Sequence, residues 1–333
     1  MNPPRFDALC IGNAIVDVLS RTEDDFLLAQ DLHKGTMHLI DEARAKSLYD
    51  AMGPAIEASG GSAGNTAAGI ASLGGNAAFF GKVADDTFGG IYAHDMHAIG
   101  VHFETPRLTG GLATASSMIL ITPDGERTMN TYLGAAQLLS PDDIDPAVVS
   151  AAAITYMEGY LWDPPLAKEA FRHAATIAHE AGRQVSLTLS DPFCVDRFRA
   201  EFLGLIRDGT VDILFANDSE LRSLYETANL DAALRALAAD CPLAAVTVGV
   251  NGAIVVSGDG VSRVDATPVE NVADLTGAGD LFASGFLFGI ARDMDPIDAA
   301  RLGTLAAAEV IGHIGPRPVT SLRDLAREAG FDI

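Results

Sequence analysis

At 333 residues and 48% hydrophobic, the chain is long enough to bury a sizeable core and too apolar for global disorder. Its 22 basic and 45 acidic residues give a net charge of −23, which argues against nucleic acid or an anionic membrane as a partner. Cys10, Cys194 and Cys241 are few and far apart, as in a reducing compartment, and no apolar run reaches the length of a membrane span. The N-terminus lacks the apolar run of a signal peptide, so a cytoplasmic location is expected.

Phe6 to Gly12 reads as a buried strand ending in a Gly-Asn turn, with Asn13 to Asp17 continuing it. Asn13 and Asp17 bracket Ala14-Ile15-Val16 where the strand leaves the core, so they can hydrogen-bond a polyol. Turn chemistry and a strand-end charge explain them equally well. The alternation in residues 34–41 predicts a short strand with one wet face, and residues 41–58 follow a helical pattern. Ser59-Gly60-Gly61-Ser62-Ala63-Gly64-Asn65 is a Gly-rich loop opening a helix. Its glycines allow a ligand close to the backbone, and Asn65 offers a donor and an acceptor. No Gly-Lys-Ser/Thr follows, so it is not a Walker A loop.

Residues 77–83 read as a strand and 90–99 as a helix, on which His94 and His97 fit exposed positions better than a metal pair. Residues 114–121 and 127–133 flank the turn Pro123-Asp124-Gly125-Glu126 and predict a β-hairpin. With strands near 16–22 and 36–40 it would make a small sheet, expected to be a lid. From Ser140 onward strands (153–157, 184–189, 213–216, 244–248) alternate with helices (165–181, 197–207, 232–238). That rhythm predicts a doubly wound, largely parallel α/β sheet. Ligands bind beyond the carboxyl ends of such strands, where Glu158-Gly159-Tyr160, Ser190-Asp191, Asn217-Asp218-Ser219-Glu220 and Thr247 to Gly252 all fall.

Asn217 and Glu220, three residues apart, can present hard oxygen ligands to Mg²⁺; a helix cap with a dipole-matched carboxylate is the plainer local explanation. Thr247, Gly249 and Gly252 can turn backbone toward a nucleotide phosphate, or only turn. Asp274-Leu275-Thr276-Gly277-Ala278-Gly279-Asp280 opens an apolar helix. Its glycines allow a tight turn with exposed N–H groups at a dipole-positive end, a site for an anion and most naturally a phosphate. Asp280 stands where it can take a proton from a hydroxyl attacking that phosphate, although an acidic first-turn residue also simply suits the dipole.

Gly60-Gly61 with Asn65, Asn217 with Glu220, Thr247-x-Gly249-x-x-Gly252 and Asp274-x-Thr276-Gly277-Ala278-Gly279-Asp280 together resemble the ribokinase-like (PfkB) carbohydrate and nucleoside kinases. The resemblance covers essentially the whole chain. It implies a single domain over residues 1–333, with a β-sheet lid drawn from about 16–40 and 103–133. It implies ATP as donor, Asp280 as base, and Gly277, Ala278 and Gly279 as the anion hole. By the same resemblance Asn13, Asp17, Gly60, Gly61 and Asn65 hold the sugar hydroxyls. Asn217 and Glu220 order Mg²⁺ and phosphates through water. Thr247, Gly249, Gly252 and Thr276 line the ATP site, with residues 307–315 near the adenine. Leu275 replaces a residue that is commonly polar in the family, which bears on any monovalent-cation (K⁺) role nearby.

Gly12-Asn13-x-x-x-Asp17, Gly35-Thr36-Met37-x-Leu39, Glu158-Gly159-Tyr160 and Asn217-x-x-Glu220 look most like adenosine kinases within the family. Met37, Leu39, Leu133 and Tyr160 can wall an adenine, or pack the lid core. The expected acceptor is therefore the 5′-OH of adenosine or a related nucleoside, with ribose or fructose as the alternative. A catalytically silent binder of this fold has no use for Asp280. Monomer and homodimer both stay open.

Overall fold

Apolar strands that alternate with helices return the chain repeatedly to one side of a sheet, and parallel pairing follows. The computed structural model describes residues 3–333. Its strands are β1 (Phe6–Ile11), β2 (Ile15–Arg21), β3 (Met37–Leu39), β4 (Ala55–Ser59), β5 (Ala77–Phe80), β6 (Ala115–Ile121) and β7 (Arg127–Tyr132). They continue with β8 (Ala152–Glu158), β9 (Gln184–Thr188), β10 (Ile213–Asn217), β11 (Leu243–Thr247), β12 (Ala253–Ser257) and β13 (Gly260–Val264). The large sheet has the order β13-β12-β11-β10-β9-β8-β1-β5, parallel except for β11–β12 and β12–β13. This is the expected α/β architecture.

The period of two along β1 feeds two cores. Ala8 and Cys10 join Phe79, Tyr156, Phe215, Phe282 and Phe286 on one face. Leu9 and Ile11 join Leu187, Leu214, Val246 and Trp162 on the other. Both faces are covered, as a parallel sheet requires. Register brings Glu158 beside Thr188 and Asn217 beside Thr247, so these strands end at one level.

The smaller sheet has the order β3-β7-β6-β2-β4. The same alternation splits its residues. Val16, Val18, Met118 and Leu120 bury against Leu27, Ala45 and Leu48 of the helices Asp24–Ala29 and Glu42–Ala51. Ile15, Asp17, Ser117, Ile119, Met129 and Thr131 point the other way, into a cavity.

Four local expectations are corrected. Asn13 to Asp17 does not extend β1; the chain breaks at 12–14 and enters the other sheet as β2. The helix expected over 41–58 stops at Ala51, ahead of Gly53-Pro54, and residues 55–59 form β4, antiparallel to β2. The helix expected from 90 begins at Thr87, because Asp86 accepts the Gly89 N–H at 2.8 Å. The helix expected from 197 begins at Pro192 behind the Asp191 cap, and it kinks at Phe198. Among the described residues, no helix is long and apolar enough to cross a membrane.

Candidate active site

The helix Ala278–Ile290 starts at the floor of the cavity. Its N-cap, Gly277, has φ 81°, and a Cβ there would lie 2.7 Å from the Pro316 carbonyl oxygen, so both backbone conformation and space demand glycine. The Leu281 N–H donates to the Gly277 carbonyl at 2.8 Å. The Ala278 N–H turns back to the Leu275 carbonyl at 3.2 Å. The N–H groups of Gly277, Gly279 and Asp280 have no partner among the described residues. Gly279 faces open space, since a Cβ there would meet nothing within 4 Å. The free donors are thus Gly277, Gly279 and Asp280, whereas Ala278 was expected in the anion hole in place of Asp280.

Asp280 is half-buried, and each of its carboxylate oxygens has a donor. Ser62 Oγ donates to Oδ1 at 2.6 Å and Asn65 Nδ2 donates to Oδ2 at 2.9 Å. Burial pushes its carboxyl above the ordinary value; these two bonds and the charge of Arg317 oppose that shift. Ser62 and Asn65 come from the first turn of the helix Ser62–Ser72, which the Gly60-Gly61 turn feeds. A Cβ on Gly61 would lie 2.1 Å from the Asn13 carbonyl oxygen, and one on Gly60 would lie 2.3 Å from Asp17 Oδ2. This loop is therefore pressed flat against β2 and the turn before it.

Asn13 and Asp17 both line the cavity. The Asn13 backbone N–H and Nδ2 donate to Glu158 Oε1 at 3.2 and 2.7 Å, and the Ala63 N–H donates to Glu158 Oε2 at 2.9 Å. Glu158, at the end of β8, is thus a buried pin to the turn after β1 and to the Ser62–Ser72 helix, and burial raises its pKa to about 7. Asp17 is also buried, its pKa raised to about 7 by desolvation and held back by Arg317 and Arg127.

The cavity measures about 730 Å³, a usual size for a small-molecule site. Met37, Leu39, Leu133 and Tyr160 line it as expected from the sequence, joined by Ile15, Ile119 and Met129. Asn217, Glu220, Thr247, Thr276, Gly277, Gly279 and Asp280 line it too. Gly249 and Gly252 do not. They shape the turn from β11 to β12, where a Cβ on Gly252 would lie 2.0 Å from the Val264 carbonyl oxygen. Asn217 and Glu220 form a reciprocal cap: Asn217 N–H and Nδ2 donate to Glu220 at 2.9 and 2.6 Å, and Glu220 N–H donates to Asn217 Oδ1 at 2.8 Å. Burial raises the Glu220 pKa to about 7. His94 and His97 are exposed.

Two arginines were missed from the sequence. Arg127 of β7 reaches across to Asp274, with Nη2 2.6 Å from Oδ2, and Nη1 donates to Thr276 Oγ1 at 3.3 Å. Asp274 also accepts from the Thr276 N–H at 3.0 Å and the Gly315 N–H at 3.1 Å. Arg317 Nη1 donates to Ser59 Oγ at 2.7 Å, and its Nε donates to Asn65 Oδ1 at 3.4 Å.

The family described as pfkB family carbohydrate kinase matches residues 56–322. The crystal structure of adenosine kinase from Sinorhizobium meliloti is 57% identical to this chain, with a TM-score of 0.91, covering 98% of this chain and 100% of that one. A probable sugar kinase protein from Rhizobium etli is 56% identical, with a TM-score of 0.91, covering 98% of this chain and 99% of that one. The adenosine kinase of Saccharomyces cerevisiae is 27% identical over 328 residues, 92% of this chain and 95% of that protein.

Proposed function

The chain belongs to the pfkB family of carbohydrate kinases, and from that premise we propose that it transfers the γ-phosphoryl group of ATP to the 5′-OH of a nucleoside, adenosine first. The observation that carries the acceptor is the apolar wall that stands beside Asp17, Ser117 and Thr131 on the cavity side of the small sheet. Ile15, Met37, Leu39, Ile119, Met129 and Leu133 line the cavity whose floor holds Asp280. A flat purine buries against such a wall, while a free sugar has hydroxyls that it would leave unpaired. The small sheet acts as a lid within a single 333-residue domain.

In this reading Asp280 accepts the proton of the attacking hydroxyl, its oxygens aimed by Ser62 and Asn65. The free first-turn N–H groups of Gly277, Gly279 and Asp280 meet the negative charge of the transferring group, with the helix dipole behind them. Asn13, Asp17, Gly60, Gly61 and Asn65 form the ribose side. Thr247, with the turn containing Gly249 and Gly252, forms the nucleotide side together with residues 307–315.

Among the described residues, no group of three or more His, Cys, Asp or Glu side chains is placed to hold a metal ion. Asn217 and Glu220 line the cavity and would face the water shell of a Mg²⁺ carried on the nucleotide phosphates. When bound, Mg²⁺ neutralises phosphate charge. Glu220→Gln keeps the bond from the Asn217 N–H, since glutamine also serves at that helix position, gives up the one from Asn217 Nδ2, and removes the charge. A Mg²⁺ titration of the variant should need more metal for half-maximal rate; an unchanged curve returns Glu220 to capping alone.

In this reading the charge of Arg127, 2.6 Å from Asp274, serves in place of a monovalent cation. Turnover in choline chloride should therefore equal turnover in KCl, and a requirement for K⁺ would show that the guanidinium does not fill that role. The deciding experiment for the acceptor is ATP consumption with adenosine, inosine, guanosine, ribose and fructose, each with and without Mg²⁺. Adenosine should give the highest kcat/KM. A wild type that prefers ribose or fructose would favour the sugar-kinase reading, which the polar floor of Asn13, Asp17 and Asn65 also serves.

A further inference from the structure

One short segment, Gly315-Pro316-Arg317-Pro318, touches both halves of the candidate site. The Gly315 N–H donates to Asp274 Oδ2, and the Pro316 carbonyl oxygen sits against Gly277. Arg317 reaches the other Gly-rich loop, at Ser59 and Asn65. Both neighbours of Arg317 are prolines, so φ is fixed on either side, and Pro318 disfavours the helical region at Arg317 itself. The guanidinium is thereby delivered from a stiff stretch of backbone. Its Nη2 lies 3.6 Å from Met96 Sδ, and a Cβ on Gly64 would lie 3.5 Å from it, so the side chain is boxed in.

We infer that Arg317 is a positioning residue: it fixes the Asn65 amide so that the NH₂ group, not the carbonyl, faces Asp280. An asparagine amide can sit either way round, whereas a guanidinium has only donors. With Arg317 Nε on Asn65 Oδ1, the Nδ2 group must point away from Arg317, and it lands on Asp280 Oδ2 at 2.9 Å. The opposite amide orientation would set two donors face to face at Arg317 and two acceptors face to face at Asp280. Arg317 therefore acts on the base through Asn65, 252 residues away in sequence.

Its charge acts in the same direction. The titratable groups that feel the charge of Asp280 are Cys10 on β1, Asp17 on β2, Tyr156 and Glu158 on β8, Tyr160 just beyond β8, and Arg317. Of these only Arg317 is cationic, and it favours the ionised forms of both Asp17 and Asp280. Removing it raises their affinity for protons, so the deprotonated base is lost at a higher pH than in the wild type.

The role rests on the reading of Asp280 as base, and the test separates the two. Arg317→Met and Arg317→Lys are made in the wild type and in the Asp280→Asn variant, with thermal melts to confirm folding. In the wild-type background, folded Arg317→Met should lower kcat by about 10²-fold, the usual cost of a misplaced reacting group. KM for ATP should change little, and the acid limb of the kcat/KM pH profile should move to higher pH. Arg317→Lys should hold the acid limb in place, because the charge stays, and should recover only part of kcat, because the fork is lost. On top of Asp280→Asn, neither change should cost much further, since coupled residues are not additive. An equal loss in both backgrounds, or an unmoved kcat and acid limb, overturns the positioning role. Where Arg317→Met does not fold, Arg317→Lys decides through kcat alone, and wild-type kcat overturns the role. If Asp280→Asn itself turns over at the wild-type rate, the base reading falls, and this role with it.

Discussion

Asp280→Asn should leave the fold and ATP binding nearly intact and lower turnover by about 10²–10⁴-fold, the usual worth of a general base. The substitution is close to isosteric, and its surroundings can receive it. The new amide oxygen can accept from Asn65 Nδ2, and the new NH₂ can donate to Ser62 Oγ, whose hydroxyl rotates to point elsewhere. Residue 280 stays in the first helical turn, and the Gly277 and Gly279 N–H groups are untouched. What disappears is the only function the carboxylate has beyond those two bonds, the capacity to take a proton. Steady-state kinetics with a nucleotide-binding measurement and a melt would check this. Wild-type turnover from a folded variant would sink the assignment. A collapse of ATP affinity would instead place Asp280 among the groups that shape the anion site.

The Asp274 to Asp280 motif was legible because its chemistry is local. A glycine with φ 81° at the N-cap, free N–H groups in the first turn and a carboxylate at the third helical position are all set within a few residues. The Asn217–Glu220 cap, three residues apart, was legible for the same reason. So was the large sheet, since each strand is an apolar run bounded by turn residues and followed by a helix. The residues that aim the base were not legible. Ser62 and Asp280 are 218 positions apart, and nothing in either segment announces the other. The Arg127–Asp274 pair joins a strand of the small sheet to the loop before the Ala278–Ile290 helix, 147 positions on. β4 was hidden because residues 55–59 are few and continue an apolar spacing that also suits a helix; only pairing with β2 makes them a strand. Gly252 shows the reverse problem. Its glycine reads as meeting a nucleotide phosphate or as only turning the chain; a Cβ there would strike the Val264 carbonyl oxygen, and a sequence does not tell those two close approaches apart.

Tyr160→Ala should separate nucleosides from sugars. The Tyr160 ring lines the cavity, and its hydroxyl donates to the Ser190 carbonyl at 3.2 Å while its N–H donates to Ser190 Oγ at 3.2 Å. Ser190 itself has φ 73°, a conformation a serine seldom adopts, so the Tyr160 contacts help to hold a strained turn at the end of β9. The ring is therefore placed by the fold and half-exposed to the cavity, as a stacking surface needs to be. Base–aromatic stacking is worth roughly 1–3 kcal/mol. The variant should therefore lose about 5- to 150-fold in kcat/KM for adenosine, since each ~1.4 kcal/mol is tenfold. Any activity on ribose should change little, because Asn13, Asp17 and Asn65 stay in place and Asp280 keeps both of its donors. Release of the Ser190 turn is the competing effect, and it would act on every acceptor alike. Equal losses on adenosine and ribose in a folded variant would thus make Tyr160 a support for the turn. A loss confined to nucleosides would make it a wall of the purine site.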